Sequence, residues 1–509
     1  MQLTTHLHHL KFPFKRIFIG ALLLLVLVAV LSGYVAATLP PNFSMAVGGV
    51  FGAGVVLASA LLVPSNVMAP ERLMRGVLSL LLFTWVVWPS YISYKFGPLP
   101  GINPTRLIYW GLISFWAYWV IASGNLKQQV TDALSRHKLF LTLLLALPAW
   151  QLFSSFMGAA TFPSIYFTVK ASAGGLLLFF VAISIIRTRE QVENALTWVL
   201  AAALVVALIG IAEAVRGSNP FIALLPNDPE QLAAMDWIIQ DKSRSGVYRI
   251  SSTFAHPLTL GEYLLMCIPV AGCLAAIGAT RLRRILAFIY FPTSAVAIYA
   301  THTRSAMVGV GVLFVIIFTV IGIGSIRKQA NFKGAVAGTF LLVCVLLASI
   351  AAGAFAVNLA KGRDRDEQGS TNARFIQLDI GTKALSSSPI YGYGPGMAVE
   401  KIGFLPGAKT LTIDNHYLSV ALDTGLIGVA VYCLIFLFPI AIGIKLGLSG
   451  FSPVHLMALA TAVALIAFGF EKLVLSLTHN FDFAYILIAM TFVLKNIDLS
   501  KSTASSERT

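Results

Sequence analysis

Asp414-Asn415-His416-Tyr417-Leu418 closes a polar segment, residues 358–415, that separates two long apolar runs of the sequence. The segment also contains Asn372-Ala373-Arg374-Phe375 and the turn-rich Ser388-Pro389-Ile390-Tyr391-Gly392-Tyr393-Gly394-Pro395-Gly396. A long polar insert in an apolar chain must leave the bilayer or line a cavity, because lipid offers its backbone groups no hydrogen bonds. We therefore interpret residues 358–424 as a catalytic loop that the surrounding helices hold at a membrane surface.

The composition predicts the class of protein. The 509 residues are 57% hydrophobic and 11% charged, with a mean hydropathy of +0.83. A soluble domain carries about 25% charged residues, and the apolar runs here reach the roughly 20 residues that a spanning helix needs. Continuous runs such as residues 17–31 do not fit the alternating strands of a membrane β-barrel. The predicted fold is an all-α polytopic membrane protein.

Spanning helices are predicted from the apolar runs, and we expect about 12–14 of them. The runs lie at residues 17–37, 44–63, 76–94, 107–122, 139–156, 171–186, 195–214, 257–279, 285–301, 306–324, 335–357, 425–444, 456–471 and 481–494.

The orientation follows from Lys and Arg, which cluster in the short segments on one side of these runs. Basic residues stay on the cytoplasmic side, so both termini are predicted to be cytoplasmic and both long loops to face outward. The predicted organisation is N-terminal spans 1–214, a first outer loop 215–256, central spans 257–357, the large outer loop 358–424, C-terminal spans 425–496 and a cytoplasmic tail 497–509.

The net charge of +15 could indicate nucleic-acid binding, but the basic residues flank predicted spans, so we expect no nucleic-acid partner. The four cysteines fall inside predicted spans, and no disulfide or thiolate metal site is implied.

Three arginines and a histidine are delivered to the outer side by this topology: Arg249, Arg304, Arg374 and His416. Guanidinium groups suit the anion of a lipid headgroup, because their paired N–H donors grip phosphate oxygens. If the anion is a diphosphate that leaves a sugar, they stabilise the charge that grows in the transition state. His416 is the candidate base for the attacking hydroxyl, with Asp414 as a possible support.

Each residue has a structural alternative. Arg304 can snorkel from a helix end, Arg249 can be an interface anchor, and Arg374 can belong to a solvated helix over residues 372–385. His416 can simply start a helix, because Asp414 and Asn415 are capping types. His256 and His302 are more typical of structural positions, and we expect His479 to be an outer-loop residue without a chemical role.

No metal or cofactor is predicted. Asp364 and Asp366 lie in a segment of alternating charge, which favours a solvated stretch. The sequence has no zinc spacing and no phosphate-cradling Gly-Lys loop. Gly392, Gly394 and Gly396 follow no strand, so we interpret them as a tight turn before the helix that bears His416.

The region from Arg249 to Gly428 resembles the family of O-antigen ligases and polymerases of bacterial envelope glycan synthesis. The resemblance rests on Arg249 to Pro257, on Thr303-Arg304-Ser305, on Asn372-Ala373-Arg374 with Pro389 to Gly396, and on Asn415-His416-Tyr417-Leu418 with Gly425. It implies a metal-independent glycosyltransferase of the bacterial inner membrane whose active site faces the periplasm. Relatives often read Phe-Gly-Asn-Pro where this chain has Phe254-Ala255-His256-Pro257, so His256 could contact substrate or be neutral.

By position, the resemblance implies that Arg249 and Arg304 bind diphosphate and that His416 is the essential histidine; Arg374 matches a recurrent loop arginine. The expected donor is an undecaprenyl-diphosphate-linked glycan. The acceptor is lipid A-core for a ligase in lipopolysaccharide or exopolysaccharide biosynthesis, or a growing glycan for a polymerase. An anionic-substrate transporter is the alternative from another class, but it predicts charges near the middle of the spans, and Glu213, Glu262 and Glu471 sit near span ends.

Overall fold

The computed structural model describes residues 67–94, 101–225, 246–328, 338–346, 365–403 and 412–506, with single positions 59, 243, 336 and 353. The chain divides into two compact units: Met1–Val77 with Ser93–Arg136, and Leu78–Ile92 with His137–Thr509. Every candidate site residue lies in the second unit.

Helices account for nearly all regular structure in the described ranges, and an isolated bridge pairs Tyr94 with Ile102. In chain order they are α1 Glu71–Val87, α2 Pro104–Ala122, α3 Gly124–Ser135, α4 Lys138–Met157, α5 Thr161–Ile185, α6 Arg189–Arg216, α7 Pro257–Ile277, α8 Arg281–Ala300, α9 Arg304–Lys328, α10 Arg365–Ser387, α11 Ala398–Ile402, α12 His416–Ser449, α13 Pro453–Glu471 and α14 Phe481–Ser506. Residues 338–346 are also helical.

Eight helices among the described residues are long and apolar enough to cross a membrane: α4, α5, α6, α7, α8, α12, α13 and α14. Counting the bent pair α2 and α3 as one span makes nine. The all-α, multi-pass prediction is confirmed. Of the predicted spans, 17–37, 44–63 and most of 335–357 lie outside the described residues, so the total of 12–14 stays a prediction.

The core of the second unit forms around α7 and α13, which pack against each other. Helix α7 also contacts α6 and α8, and α13 contacts α12 and α14. Alanines such as Ala458, Ala462 and Ala464 are fully buried along α13, because small side chains let helices approach closely in lipid. This core holds the ends of α7, α9, α12 and α13 together, and the candidate site lies at those ends.

Two helices differ from the expected pattern. Residues 124–135, which separate the predicted spans 107–122 and 139–156, form α3, which is bent by 102° from α2 and buries Leu126 and Val130. Helix α12 begins at His416, inside the segment interpreted as loop, and runs through a break at Gly425, where φ is 70°. The predicted span 425–444 is therefore only the part of α12 after this break.

Candidate functional site

Arg249 lies in a short segment that a buried carboxylate at the end of α6 fixes in place. Glu213, fully buried, accepts hydrogen bonds from the Tyr248 hydroxyl at 2.8 Å and from the Ser251 backbone N–H at 3.2 Å. The Ile250 N–H donates to the carbonyl of Ala300 at 3.3 Å. These bonds hold the first predicted arginine against the end of α8.

The turn between α8 and α9 receives the Arg249 side chain. Arg249 Nε donates to the carbonyl of Thr301 at 3.0 Å. His302, the next residue, has a left-handed backbone with φ 48°, a conformation that costs a non-glycine residue energy and clusters at functional sites. Partial burial, and then the nearby charge of Arg249, lower the pKa of His302 below its usual value.

Arg304 contacts the polar helix α10, and Arg374 lies on it. Arg304 Nη2 lies 3.4 Å from the hydroxyl of Thr371, and Arg374 follows Thr371 by one helical turn, the spacing at which residues share a helix face. Arg374 Nε lies 3.0 Å from Asp414 Oδ2, in an ion pair whose side chains are about one-third exposed. Arg374 is thus part of the solvated helix that the sequence allowed, and it also contacts the segment that leads to His416.

His416 starts α12, as its capping neighbours predicted. Asn415 Oδ1 accepts the Leu418 N–H at 3.1 Å, so Asn415 is the cap, whereas Asp414 pairs with Arg374 and not with the imidazole. His416 is 9% exposed, with Nδ1 3.4 Å from Ser476 Oγ and the ring 5.0 Å from the Phe481 ring, centroid to centroid.

Three contacts connect the segments that bear the predicted residues. Arg249 bonds to the 301–303 turn that leads into Arg304, Arg304 contacts Thr371 on α10, and Arg374 on α10 pairs with Asp414, two residues before His416. That the four residues form one site on the outer side stays a prediction.

The glycine-rich turn is confirmed as a backbone device. Gly392, Gly394 and Gly396 all have positive φ, and the Gly394 N–H donates to the Asp423 carbonyl at 2.9 Å. The Asp423 carboxylate, in turn, accepts the Ala398 N–H at 2.7 Å. The turn therefore packs on α12 beside its break at Gly425. These contacts fix the orientation of the first part of α12, which begins with His416.

His256 has a structural task. Its Nδ1 accepts the Leu258 N–H at 3.1 Å and caps α7. Asn is among the preferred capping residues, so we expect an Asn at position 256 to cap α7 in the same way.

Sequence reasoning missed a buried polar cluster under His416. Lys472 is fully buried, with Nζ 2.8 Å from Glu262 Oε1. Asn480 Nδ2 donates to Glu262 Oε2 at 2.8 Å. The adjacent Glu471-Lys472 at the end of an apolar run was the available signal, because ionisable residues at membrane depth are rare and functional by default.

His479, expected to be a loop residue without a chemical role, is packed inside the second unit. Its ring lies 5.1 Å from that of Phe254, centroid to centroid. Burial, and then the charge of Lys472, lower its pKa to about 4, so the ring stays neutral near neutral pH.

Within the ranges that the structure describes, no three His, Cys, Asp or Glu side chains form a group that could hold a metal ion. Metal independence remains a prediction, to be tested with a chelator.

The fold and this site define a multi-pass helical membrane protein with an arginine- and histidine-bearing site at the ends of its helices. Residues 287–433 match the family model described as O-Antigen ligase, so the resemblance to the O-antigen ligase family is confirmed. The match contains Arg304, Arg374, Asp414, Asn415 and His416, whereas Arg249 and His256 precede it. No curated protein matches the chain. The family match implies a glycosyltransferase-like ligase of polysaccharide biosynthesis that acts on lipid-linked glycans.

Proposed function

We propose that this protein transfers a glycan from an undecaprenyl-diphosphate-linked donor to an acceptor hydroxyl, at the periplasmic face of the bacterial inner membrane. The observation that carries the proposal is that α10 contacts both neighbouring segments, through Arg304 to Thr371 and through Arg374 to Asp414, two residues before His416. These contacts bring arginines suited to a lipid-linked diphosphate to the start of the helix that bears a residue suited to proton removal, and they lie inside the family match.

In the proposed reaction, the bond between the sugar's anomeric carbon and the diphosphate oxygen breaks as the acceptor oxygen attacks that carbon. The diphosphate leaves with the electron pair, and Arg249, Arg304 and Arg374 stabilise the charge that develops on it. The acceptor's proton goes to His416. If His416 Nδ1–H donates to Ser476 Oγ, 3.4 Å away, then Nε2 carries the lone pair that accepts this proton.

The catalytic step is tested with purified protein, a lipid-linked donor and a candidate acceptor, with and without a chelator. We expect a transferred glycan in both reactions. Absence of product with every acceptor would contradict the proposal, and loss of product with the chelator alone would contradict metal independence.

The periplasmic location is tested by cysteine labelling. In a variant whose four native cysteines are replaced, Asp379→Cys on α10 and Arg281→Cys at the start of α8 put thiols at exposed positions. An impermeant maleimide added to intact spheroplasts should label position 379 and not position 281. Labelling at position 281 and not at position 379 would place α10 on the cytoplasmic side and would contradict the periplasmic location.

The acceptor decides between a ligase and a polymerase, because both need the same leaving group and the same base. We propose the ligase as the leading assignment, since the matched family model carries that description. A deletion strain should then make free polymer that is not attached at the cell surface. A strain that accumulates single repeat units would indicate a repeat-unit polymerase.

A further inference from the structure

Lys472 is joined to His416 by a backbone hydrogen bond, and the Lys472 side chain is fully buried. The His416 N–H donates to the Lys472 carbonyl at 3.0 Å, and the Lys472 side chain is 0% exposed. Burying an ammonium group is costly unless the charge is paired and hydrogen-bonded. The groups that pair with the Lys472 ammonium therefore indicate which part of the structure this buried charge holds in place.

The Lys472 ammonium is held from several directions. It lies 2.8 Å from Glu262 Oε1 and donates to the Leu477 carbonyl at 2.6 Å. It also lies 4.8 Å from the centroid of the Phe468 ring and 4.9 Å from that of Phe481, within the range of cation–π attraction.

The same groups surround the imidazole. Phe481, which contacts the ammonium, also packs against the His416 ring at 5.0 Å between centroids. Ser476, whose hydroxyl faces His416 Nδ1, lies in the turn that Lys472 closes by its bond to Leu477. The ammonium therefore contacts Phe481 and closes the turn that bears Ser476, two groups that flank the histidine ring; Tyr432 also packs against that ring, at 5.3 Å between centroids.

The Glu262 carboxylate, which pairs with Lys472, connects the turn between α13 and α14 to the start of α7. Glu262 lies in α7, six residues after the cap His256 and in the helix that follows the Arg249 segment. Asn480 Nδ2 bridges Glu262 Oε2 at 2.8 Å and the Thr259 carbonyl at 3.0 Å. The start of α7 and the turn between α13 and α14 are therefore joined by buried charge and hydrogen bonds.

We propose that Lys472, paired with Glu262, is a positioning residue that acts through His416 in the proposed transfer. The pair fixes the turn 472–480 and the Phe481 ring, and these hold the imidazole in the orientation in which it receives the acceptor's proton. Lys472 itself takes no proton and makes no bond to substrate. This inference rests on the proposed function, in which His416 is the base.

The main test is the double variant Glu262→Gln with Lys472→Met, which removes both charges and leaves neither buried charge unpaired. With purified protein, we expect kcat for glycan transfer to fall about 10- to 100-fold, the loss that misplacement by about 1 Å causes. The KM for the lipid-linked donor and the thermal unfolding midpoint should stay close to those of the wild type. Thr461→Val, which removes a buried hydrogen bond to Thr491 between α13 and α14, is the matched control and should keep kcat.

A second variant tests the same role if the double variant does not fold. Phe481→Leu keeps both charges but removes the ring between the ammonium and the imidazole, and we expect the same fall in kcat at unchanged KM. Wild-type kcat in either folded variant would overturn the positioning role, as would a fall in kcat only in step with the unfolding midpoint. Transfer that survives in His416→Ala would instead overturn the proposed base, a result that can be told apart because it involves neither Lys472 nor Phe481.

Discussion

Arg374 Nε and Asp414 Oδ2 lie 3.0 Å apart and join the polar helix α10 to the segment that leads into α12. The carboxylate is two residues before His416, and its own backbone N–H donates to Gln377 Oε1 at 3.0 Å. Gln377 Nε2 in turn donates to the Thr412 carbonyl at 3.1 Å. The arginine-bearing helix and the start of the histidine-bearing helix are therefore held together by three polar contacts.

Asp414→Asn tests this connection. Because the pair is one-third exposed, its loss should change the unfolding free energy by less than about 1 kcal/mol. We expect transfer to fall by up to about tenfold, equivalent to about 1.4 kcal/mol in the barrier, because Arg374 loses its charged partner. The measurements are the transfer rate and the unfolding midpoint of the purified variant.

The control lies on the same helix. Asp379→Asn removes the exposed pair with Lys383, and we expect no change in rate. Equal losses of transfer rate in the two variants would show that any loss of charge on or beside α10 slows the reaction. That result would contradict a specific role for the pair between Arg374 and Asp414.

Arg304→Lys should be nearly as damaging as Arg304→Ala, with a loss of about 100- to 1000-fold in kcat. Lysine keeps the charge but loses the planar fork of donors that matches a phosphate. The rates are compared at saturating donor, with the exposed Arg281→Lys as the control. Full activity in the lysine variant would reduce Arg304 to a generic positive charge.

His256 is expected to act as a helix cap. His256→Asn should keep both activity and stability, since an Asn side chain caps equally well, whereas His256→Ala should lose about 1 kcal/mol of stability. Thermal unfolding and transfer are measured together. An Asn variant that unfolds normally but transfers poorly would show that the imidazole contacts substrate.

Gly425→Ala should destabilise the protein by more than about 1 kcal/mol, because φ there is 70° and a left-handed backbone disfavours any side chain. The added methyl group would also collide with the backbone carbonyl of Ile390. The comparison is Gly272→Ala in α7, where nothing lies within 4 Å of the new atom and stability should be unchanged or higher. Equal unfolding midpoints for the two variants would contradict a required break in α12.

The apolar runs were sufficient to predict the all-α membrane fold, and eleven of the fourteen predicted spans coincide with helices in the described residues. They could not predict where α12 begins. Residues 416–424 are polar in part, yet they become helical because Asn415 caps them and the glycine turn packs against Asp423. Such contacts join segments distant in sequence and leave no local pattern.

The site was predicted in part for the same reason. Arg249, Arg304, Arg374 and His416 could be assigned to the predicted outer side because each lies in a predicted outer loop or in the turn between two predicted spans. The pairing of Glu262 with Lys472 was not visible, since the two residues are far apart in sequence and each alone looked like a charge at a helix end. His416 and Lys472 meet only because α12 and α13 pack side by side.

Glycan transfer by purified His416→Ala, measured with a lipid-linked donor beside the wild type, tests the role of the histidine itself. Loss of a general base predicts a fall in rate of about 100- to 10,000-fold, with normal membrane insertion, accumulation and donor binding. A transfer rate close to that of the wild type would show that His416 does not receive the acceptor's proton.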